Sequence, residues 1–305
     1  MLNINGLKLP MIGDQIVTGD VRFVDENADS SVDDPGQGLN PGRTFNTLDY
    51  AVGKMTASKG DYLLVQPAHT ENIASASAVD VDVAGLSIIG IGNAGLRPKY
   101  TFTATTSTLE IGAANVRVSN LELYGNINDL AVMVDVNYGG FQMDNCKLHS
   151  CNAKECINFI NIATTMDDFI FRDLEVYQPS DPVATDGGAN TGAIYCVDTE
   201  NILIEHCRFF GYFETAIVHN LTTKVQRLNI NHTELTNMLN WPLELVANST
   251  GSAFQCYGET VTGTDVTDAK LFGIMGTRFW LNDCHMGNDS AAGGQMGAPG
   301  TIVTT

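Results

Sequence analysis

Positive charge is scarce in this chain. Sixteen Lys and Arg stand against 35 Asp and Glu, a formal net charge of −19 over 305 residues. Holding phosphate backbones or anionic lipid depends on Lys and Arg, so nucleic acid and anionic membranes are excluded as partners. Charged residues of both signs make up only 17%, low for a helical protein and ordinary for stacked strands. No stretch approaches 18 apolar residues, so no membrane-spanning helix is expected. The opening MLNINGLKLPMIGD lacks a basic start followed by an apolar run, so no export signal is expected. Cysteine pairs of the CxxC kind are missing, as are P-loop, Rossmann and G-x-S-x-G patterns. The seven cysteines (146, 151, 156, 196, 207, 256, 284) are an odd number. The five-residue spacing of Cys146, Cys151 and Cys156 matches no common zinc pattern, so buried free thiols acting as small apolar residues are expected.

What the chain does have is one phrase repeated. Phe141-Gln-Met-Asp-Asn-Cys-Lys-Leu148 returns in variants beginning at Val116, Phe169, Ile202, Leu228 and Phe279, with weaker copies at Leu86 and Phe254. Successive starts lie 30, 25, 28, 33, 26, 26 and 25 residues apart, a solenoid period. Positions one, three, six and eight are apolar in 29 of 32 cases, the exceptions being Asn93, Thr233 and Glu259. That pattern is strand alternation on both sides of a two-residue interruption. The second interrupting residue runs Gly90, Asn120, Asn145, Asp173, His206, His232, Gly258, Asp283. These residue types best tolerate positive φ, so a left-handed bend once per coil is expected. The pattern specifies an all-β chain, a right-handed parallel β-helix of about 8–10 coils. Cys146, Cys207 and Cys284 take the inward sixth slot, and Cys256 is expected in an inward third slot.

Three regions are expected. Residues 1–20 form an N-terminal arm with no clear period, a lead-in strand or a hold on a neighbouring subunit. Residues 21–286 form the β-helix with its cap, and residues 287–305 a Gly-rich tail, flexible or ordered by a neighbour. Within the cap, Val21–Val24 alternates like a strand, and an acidic loop follows over 25–43. Asp25, Glu26, Asp29, Asp33 and Asp34 there are the residue types calcium takes, but their spacing is not an EF-hand's, and a solvated acidic loop is favoured. A capping helix is expected at about 45–58, with Asn46 or Thr47 as N-cap and Leu48, Ala51, Val52 and Met55 on one face. Tyr62 to Gln66 is the first core strand.

Gly38-Leu-Asn-Pro41, Phe45-Asn-Thr-Leu-Asp-Tyr-Ala51, Gly60-Asp-Tyr-Leu-Leu-Val65 and Pro67 resemble the N-terminal cap of pectin-lyase-like β-helix proteins. They are most similar to the short type carried by tailed bacteriophages, and the resemblance spans roughly residues 21 to 286. It implies a virion spike, a polysaccharide lyase or hydrolase, or a non-catalytic structural protein, and a three-fold assembly. It also implies a groove along the third strand of each coil: Leu109-Glu-Ile111, Val134-Asp-Val136, Ile160-Asn-Ile162, Ile194-Tyr-Cys196, Leu243-Glu-Leu245. The outward residues there are Glu110, Asp135, Asn161 and Tyr195, with Val218 and Glu244 beyond. Inserts at 178–192 and around 258–269 are expected to leave one rim as loops.

Catalytic chemistry is hard to assemble from these residues. A glycoside hydrolase needs two carboxylates, and Glu110 with Asp135, one coil apart, is the best pair available. The lyase pattern needs a basic residue beside clustered Asp, and no Arg or Lys stands in this column. The paired-Asp, Gly-His-Gly pattern of polygalacturonases is also missing. His206 and His232 stack in adjacent coils with Asp173 on the coil before, a chemically reasonable metal set, but these are bend positions that backbone conformation explains. His69, His149, His219 and His285 have no Ser or Cys partner at motif spacing. No catalytic, cofactor-binding or metal residue is therefore assigned. The expectation is a non-enzymatic phage virion structural protein, a capsid decoration or spike component. It would be a trimer bound to other virion proteins such as the capsid, assembled in the host cytoplasm. The alternative is a glycan-binding or polysaccharide-degrading tailspike-type protein.

Overall fold

The computed structural model describes residues 2–4, 7–9, 11–12, 15–152, 154–162, 166–179, 192–220, 224–239, 241–246, 248–260, 272–274 and 278–288. Three parallel sheets run its length, of ten, nine and eight strands, each strand paired with its counterparts one coil below and above. The first sheet runs from Val21–Val24 to Arg278–Asn282, the second from Thr70–Ile73 to His285–Asn288, and the third from Val79–Asp80 to Phe272–Ile274. The chain visits them in turn, so one lap makes one coil of a parallel β-helix, the architecture the repeat predicts.

Apolar parity builds the interior. Val116, Val118, Leu121 and Leu123 are buried, as are the corresponding four residues from Phe141, Phe169, Ile202 and Leu228. Phe141 and Phe171, one coil apart, meet edge to face with ring centroids 6.2 Å apart. Thr233, the polar exception, satisfies itself: its hydroxyl donates to the Asn231 carbonyl at 2.8 Å and accepts the Cys207 N–H at 3.3 Å.

The corner file forms at six of its eight expected members. Asn120, Asn145, Asp173, His206, His232 and Asp283 have φ between 48° and 57°. Five of these corner N–H groups donate to a carbonyl of the next coil: Asn120 to Asp144, Asn145 to Arg172, Asp173 to Glu205, His206 to Asn231, His232 to Phe254, at 2.9–3.1 Å. The two departures have separate reasons. Gly90 lies in the strand Ser87–Gly90, and a Cβ there would come within 2.2 Å of the Asn120 carbonyl, so its glycine serves close approach. After it comes a 3₁₀ turn, Ala94–Leu96, in place of the sharp corner, which leaves Ile91 partly exposed and Asn93 outside any strand. The copy expected at Phe254 begins instead at Gly251, which pairs with Leu228. Its corner residue is Gln255, φ 49°, its sixth slot is Cys256, and Phe254 points outward.

A second left-handed file stands just ahead of the phrase, unforeseen from the sequence. It runs Gly60, Gly85, Asn115, Gly140, Asp168, Asn201 and Arg227, with φ from 54° to 76°. Gly, Asn and Asp at a fixed offset were a readable signal. Arg227, which disfavours this conformation, is held by its N–H to Thr250 Oγ1 at 3.0 Å and its guanidinium to Glu200 at 2.9 Å.

At the N-terminal end the helix is shorter than expected, Leu48–Val52, with Thr47 as N-cap and Gly53 closing it. Leu48, Ala51 and Val52 join the core. Residues 1–20 include two small antiparallel pairs, Leu2–Ile4 with Leu7–Leu9 and Met11–Ile12 with Gln15–Ile16. Most of the two inserts (180–191 and 261–271) and of the tail (289–305) lies outside the described residues.

Candidate functional site

The outward column of the third sheet is the site the sequence nominates. Strand register stacks Asp80, Glu110, Asp135, Asn161, Tyr195, His219 and Glu244. Two members correct the sequence-based column. Val218 pairs with Ile194 and faces the core, so His219 takes the outward place. Asp80 extends the column one coil downward, and the alternating Val79-Asp80-Val81 was the signal that could have found it.

The carboxylates in this column are tied to neighbours. Glu110 Oε2 accepts from the Ser77 hydroxyl at 2.6 Å. The Asn137 amide reaches both Glu110 Oε1 at 3.4 Å and Asp135 Oδ2 at 3.5 Å, while Asn161 donates to Asp135 Oδ1 at 2.7 Å. Burial, then the negative charges of Glu110, Asp82 and Asp49, raise the Asp80 carboxyl above its ordinary 3.8. Its Oδ1 is buried without a hydrogen-bond partner among the described residues. Further along, the Tyr195 and His219 rings lie 5.0 Å apart. His219 is only 1% exposed, and burial pushes its imidazole down to about 4 despite a bond to the Ala216 backbone. A neutral imidazole and a strip of carboxylates can accept hydrogen bonds, but none of these seven residues is a Lys or Arg that could stabilise a developing negative charge.

The second sheet is built differently. One outward column alternates in sign: Lys99, Glu122, Lys147, Glu175, Arg208, Glu234. Ion pairs join Lys99 to Glu122 at 3.7 Å, Lys147 to Glu175 at 3.9 Å and Arg208 to Glu234 at 3.0 Å. The adjacent column stacks aromatic rings, Tyr124 on His149 at 4.8 Å and Tyr177 on Phe210 at 5.5 Å. Each pair joins two successive coils, tilted in the first and stacked in the second, and Lys99 Nζ lies over the Tyr124 ring at 4.0 Å.

The other nominated groups have structural explanations. His206 and His232 stack at 5.0 Å within the corner file, and Asp173 shares its left-handed conformation. In the acidic loop, Asp33 accepts the N–H groups of Asn46 and Thr47 at 2.9 and 3.1 Å, and Asp25 and Asp34 accept from Asn27 and Gly36. Among the described residues no group of three His, Cys, Asp or Glu could hold a metal ion.

All seven cysteines are free thiols, five of them buried. Burial raises Cys146, Cys196 and Cys207 to about 12, so these are inert packing groups. Cys256 and Cys284 stand in the sixth slot of successive coils, and the hydrogen bond between them lowers the Cys284 thiol against the effect of burial and raises that of Cys256.

Parallel three-sheeted coils with an outward acidic column define this chain as a β-helix protein. Two solved structures are similar to this chain. One is titled rhamnogalacturonan lyase (TM-score 0.45, 9% identity, 80% of this chain and 74% of that one). The other is pectate lyase Pel9A (TM-score 0.44, 8% identity, 88% of this chain and 78% of that one). No family model and no curated protein matches the chain.

Proposed function

We propose that this chain is a non-catalytic structural component of a phage virion, a capsid decoration or spike protein. The observation that carries the proposal is the third-sheet column. Its best carboxylate pair, Glu110 and Asp135, is bridged by the single amide of Asn137, and none of the seven stacked residues is a Lys or Arg. A catalytic pair needs one free acid or base reaching the substrate. The ladders of the second sheet and the file of corner N–H bonds make a stiff rod instead, suited to a particle that must survive outside a cell. Assembly as a trimer through the terminal regions accords with this role.

Mass spectrometry of particles purified from a producing host tests it. The expected result is this chain at a copy number divisible by three; particles that lack it refute the proposal.

A second reading rests on Asp80. A carboxyl with a raised pKa one coil from Glu110 resembles the acid of a glycoside hydrolase. New reducing ends from host surface polysaccharide, lost in Asp80→Asn and Glu110→Gln, would favour that reading over the structural one.

A further inference from the structure

The C-terminal coils carry a surface unlike any other among the described residues. Trp280 is 70% exposed, the largest exposure among the described large hydrophobic side chains. It stands on Arg278–Asn282, the edge strand of the first sheet among the described residues. In register beneath it are Ser252 and then Asn229, one residue per coil at ~4.8 Å. Asn201 and Arg227 flank that file, and all five border a shallow depression of about 440 Å³, within the ~300–1,000 Å³ of small-molecule sites.

Beneath this depression Gly251 takes an inward slot, paired with Leu228. A Cβ there would lie 2.0 Å from the Leu228 carbonyl and 2.8 Å from the Phe279 ring. The polar groups are already oriented: Ser252 Oγ donates to Asn229 Oδ1 at 2.9 Å, Asn229 Nδ2 to the Arg227 carbonyl at 3.2 Å, and Asn201 Nδ2 to Asp168 at 2.8 Å. Each amide keeps a second N–H and a second lone pair for a ligand. The positive charge of Arg227 is balanced by Glu200 at 2.9 Å.

We propose that this shelf binds a neutral glycan, with one sugar ring stacked on the indole face of Trp280 and its hydroxyls bonded to Asn229, Ser252 and Asn201. An exposed indole offers a broad apolar face with polar surroundings, which matches a pyranose: C–H bonds on its faces and hydroxyls around its rim. Local charge decides the class. The Arg227–Glu200 pair cancels, and the chain carries −19 overall, so an anionic sugar meets net repulsion and an uncharged one does not. The shelf lies on the first sheet, away from the Glu110–Asp135 column, and its occupancy is independent of particle membership.

The test uses the full chain and four neutral probes: maltohexaose, cellohexaose, laminarihexaose and mannohexaose. Tryptophan emission is followed in the parent chain, with Trp241, the chain's other Trp, as background. Isothermal titration calorimetry reads binding in the parent and in both variants, since Trp280→Ala removes the fluorescent reporter. The expected result is saturable change with at least one probe at a Kd of about 1 mM or tighter. Trp280→Ala then weakens it at least tenfold and Asn229→Ala severalfold, with the circular dichroism of both variants unchanged. Three outcomes overturn the proposal: no saturable change with any of the four, undiminished binding in Trp280→Ala, or sugar-blind protein whose oligomers dissociate on Trp280→Ala in sedimentation velocity. The last would make the shelf an interface between copies of this chain.

Discussion

The second and third sheets use the same spacing between coils and carry opposite electrostatic arrangements. On the second, Lys99, Glu122, Lys147, Glu175, Arg208 and Glu234 alternate, so each internal charge lies between two of opposite sign. On the third, Asp80, Glu110 and Asp135 stack with like sign, and Ser77, Asn137 and Asn161 take up the oxygens of Glu110 and Asp135. In-register stacking multiplies whatever relation one coil sets with the next. Cross-strand pairs contribute roughly 0.2–1 kcal/mol each, favourable or not, so the sheets differ in the sign of that contribution.

Charge reversal gives the largest expected effect. Glu122→Lys would set three lysines in file and remove the partner of His149, with Nε2 3.0 Å from Glu122 Oε1. A loss of about 1–2 kcal/mol is expected in urea unfolding. Glu110→Lys places a cation between two carboxylates and is expected to stabilise by about 0.5–1 kcal/mol despite losing the Ser77 bond. Effects of the same sign in the two variants would break the comparison.

Asp80→Asn is expected to stabilise by about 0.5 kcal/mol at neutral pH, since exposed charge pairs are screened by solvent. Because the folded Asp80 pKa is raised above 3.8, the folded chain binds that proton first. Asp80's contribution therefore improves as pH falls through its folded pKa, and the advantage of the Asp80→Asn variant should vanish in the same window.

The His149–Glu122 pair behaves in the opposite sense. Burial holds His149 below its ordinary 6.5 despite Glu122. For Glu122, burial is outweighed by the His149 bond and by the charges of His149, Lys99 and Lys147, leaving it below 4.5. At neutral pH His149 is uncharged, and the two lysines supply the positive field. The unfolded chain then takes up both protons first, so stability falls as pH drops below 6.5 and again below 4.5. His149→Gln should remove the upper step and shrink the lower one, measured as urea midpoints between about pH 7 and 4. The lower step shrinks because His149 leads the groups that hold Glu122 down, and only Lys99 and Lys147 then remain. The smallest effect is expected from salt. Raising NaCl from about 50 to about 500 mM should shrink the Glu122→Lys penalty by a few tenths of a kcal/mol.

Much of the architecture was legible because burial alternates along a strand and left-handed bends favour few residue types. Six corner residues fell into file as expected. The second file, from Gly60 to Arg227, was equally visible in composition but lay outside the eight-residue phrase. The copy at Phe254 misled because Phe-Gln-Cys imitates the apolar alternation, whereas Gly251 and Ala253 are the true inward residues with little apolar signal of their own. Val218 was preferred to His219 for the groove because Ala216, Ile217, Val218 and His219 are all buried, so polarity gave no parity there. The Trp280 shelf was not legible at all, since its members come from four coils.

Taken alone, the amino-acid order determined that the chain winds as stacked parallel coils around an apolar axis, because inward parity and bend chemistry are properties of eight consecutive residues. Only the tertiary structure decided which outward side chains become neighbours. Coil length varies, from 23 residues between Leu228 and Gly251 to 33 between Phe169 and Ile202. The offset from one coil to the next is fixed by backbone hydrogen bonds between coils, so the acidic column and the Trp280 shelf exist only once that ladder has formed.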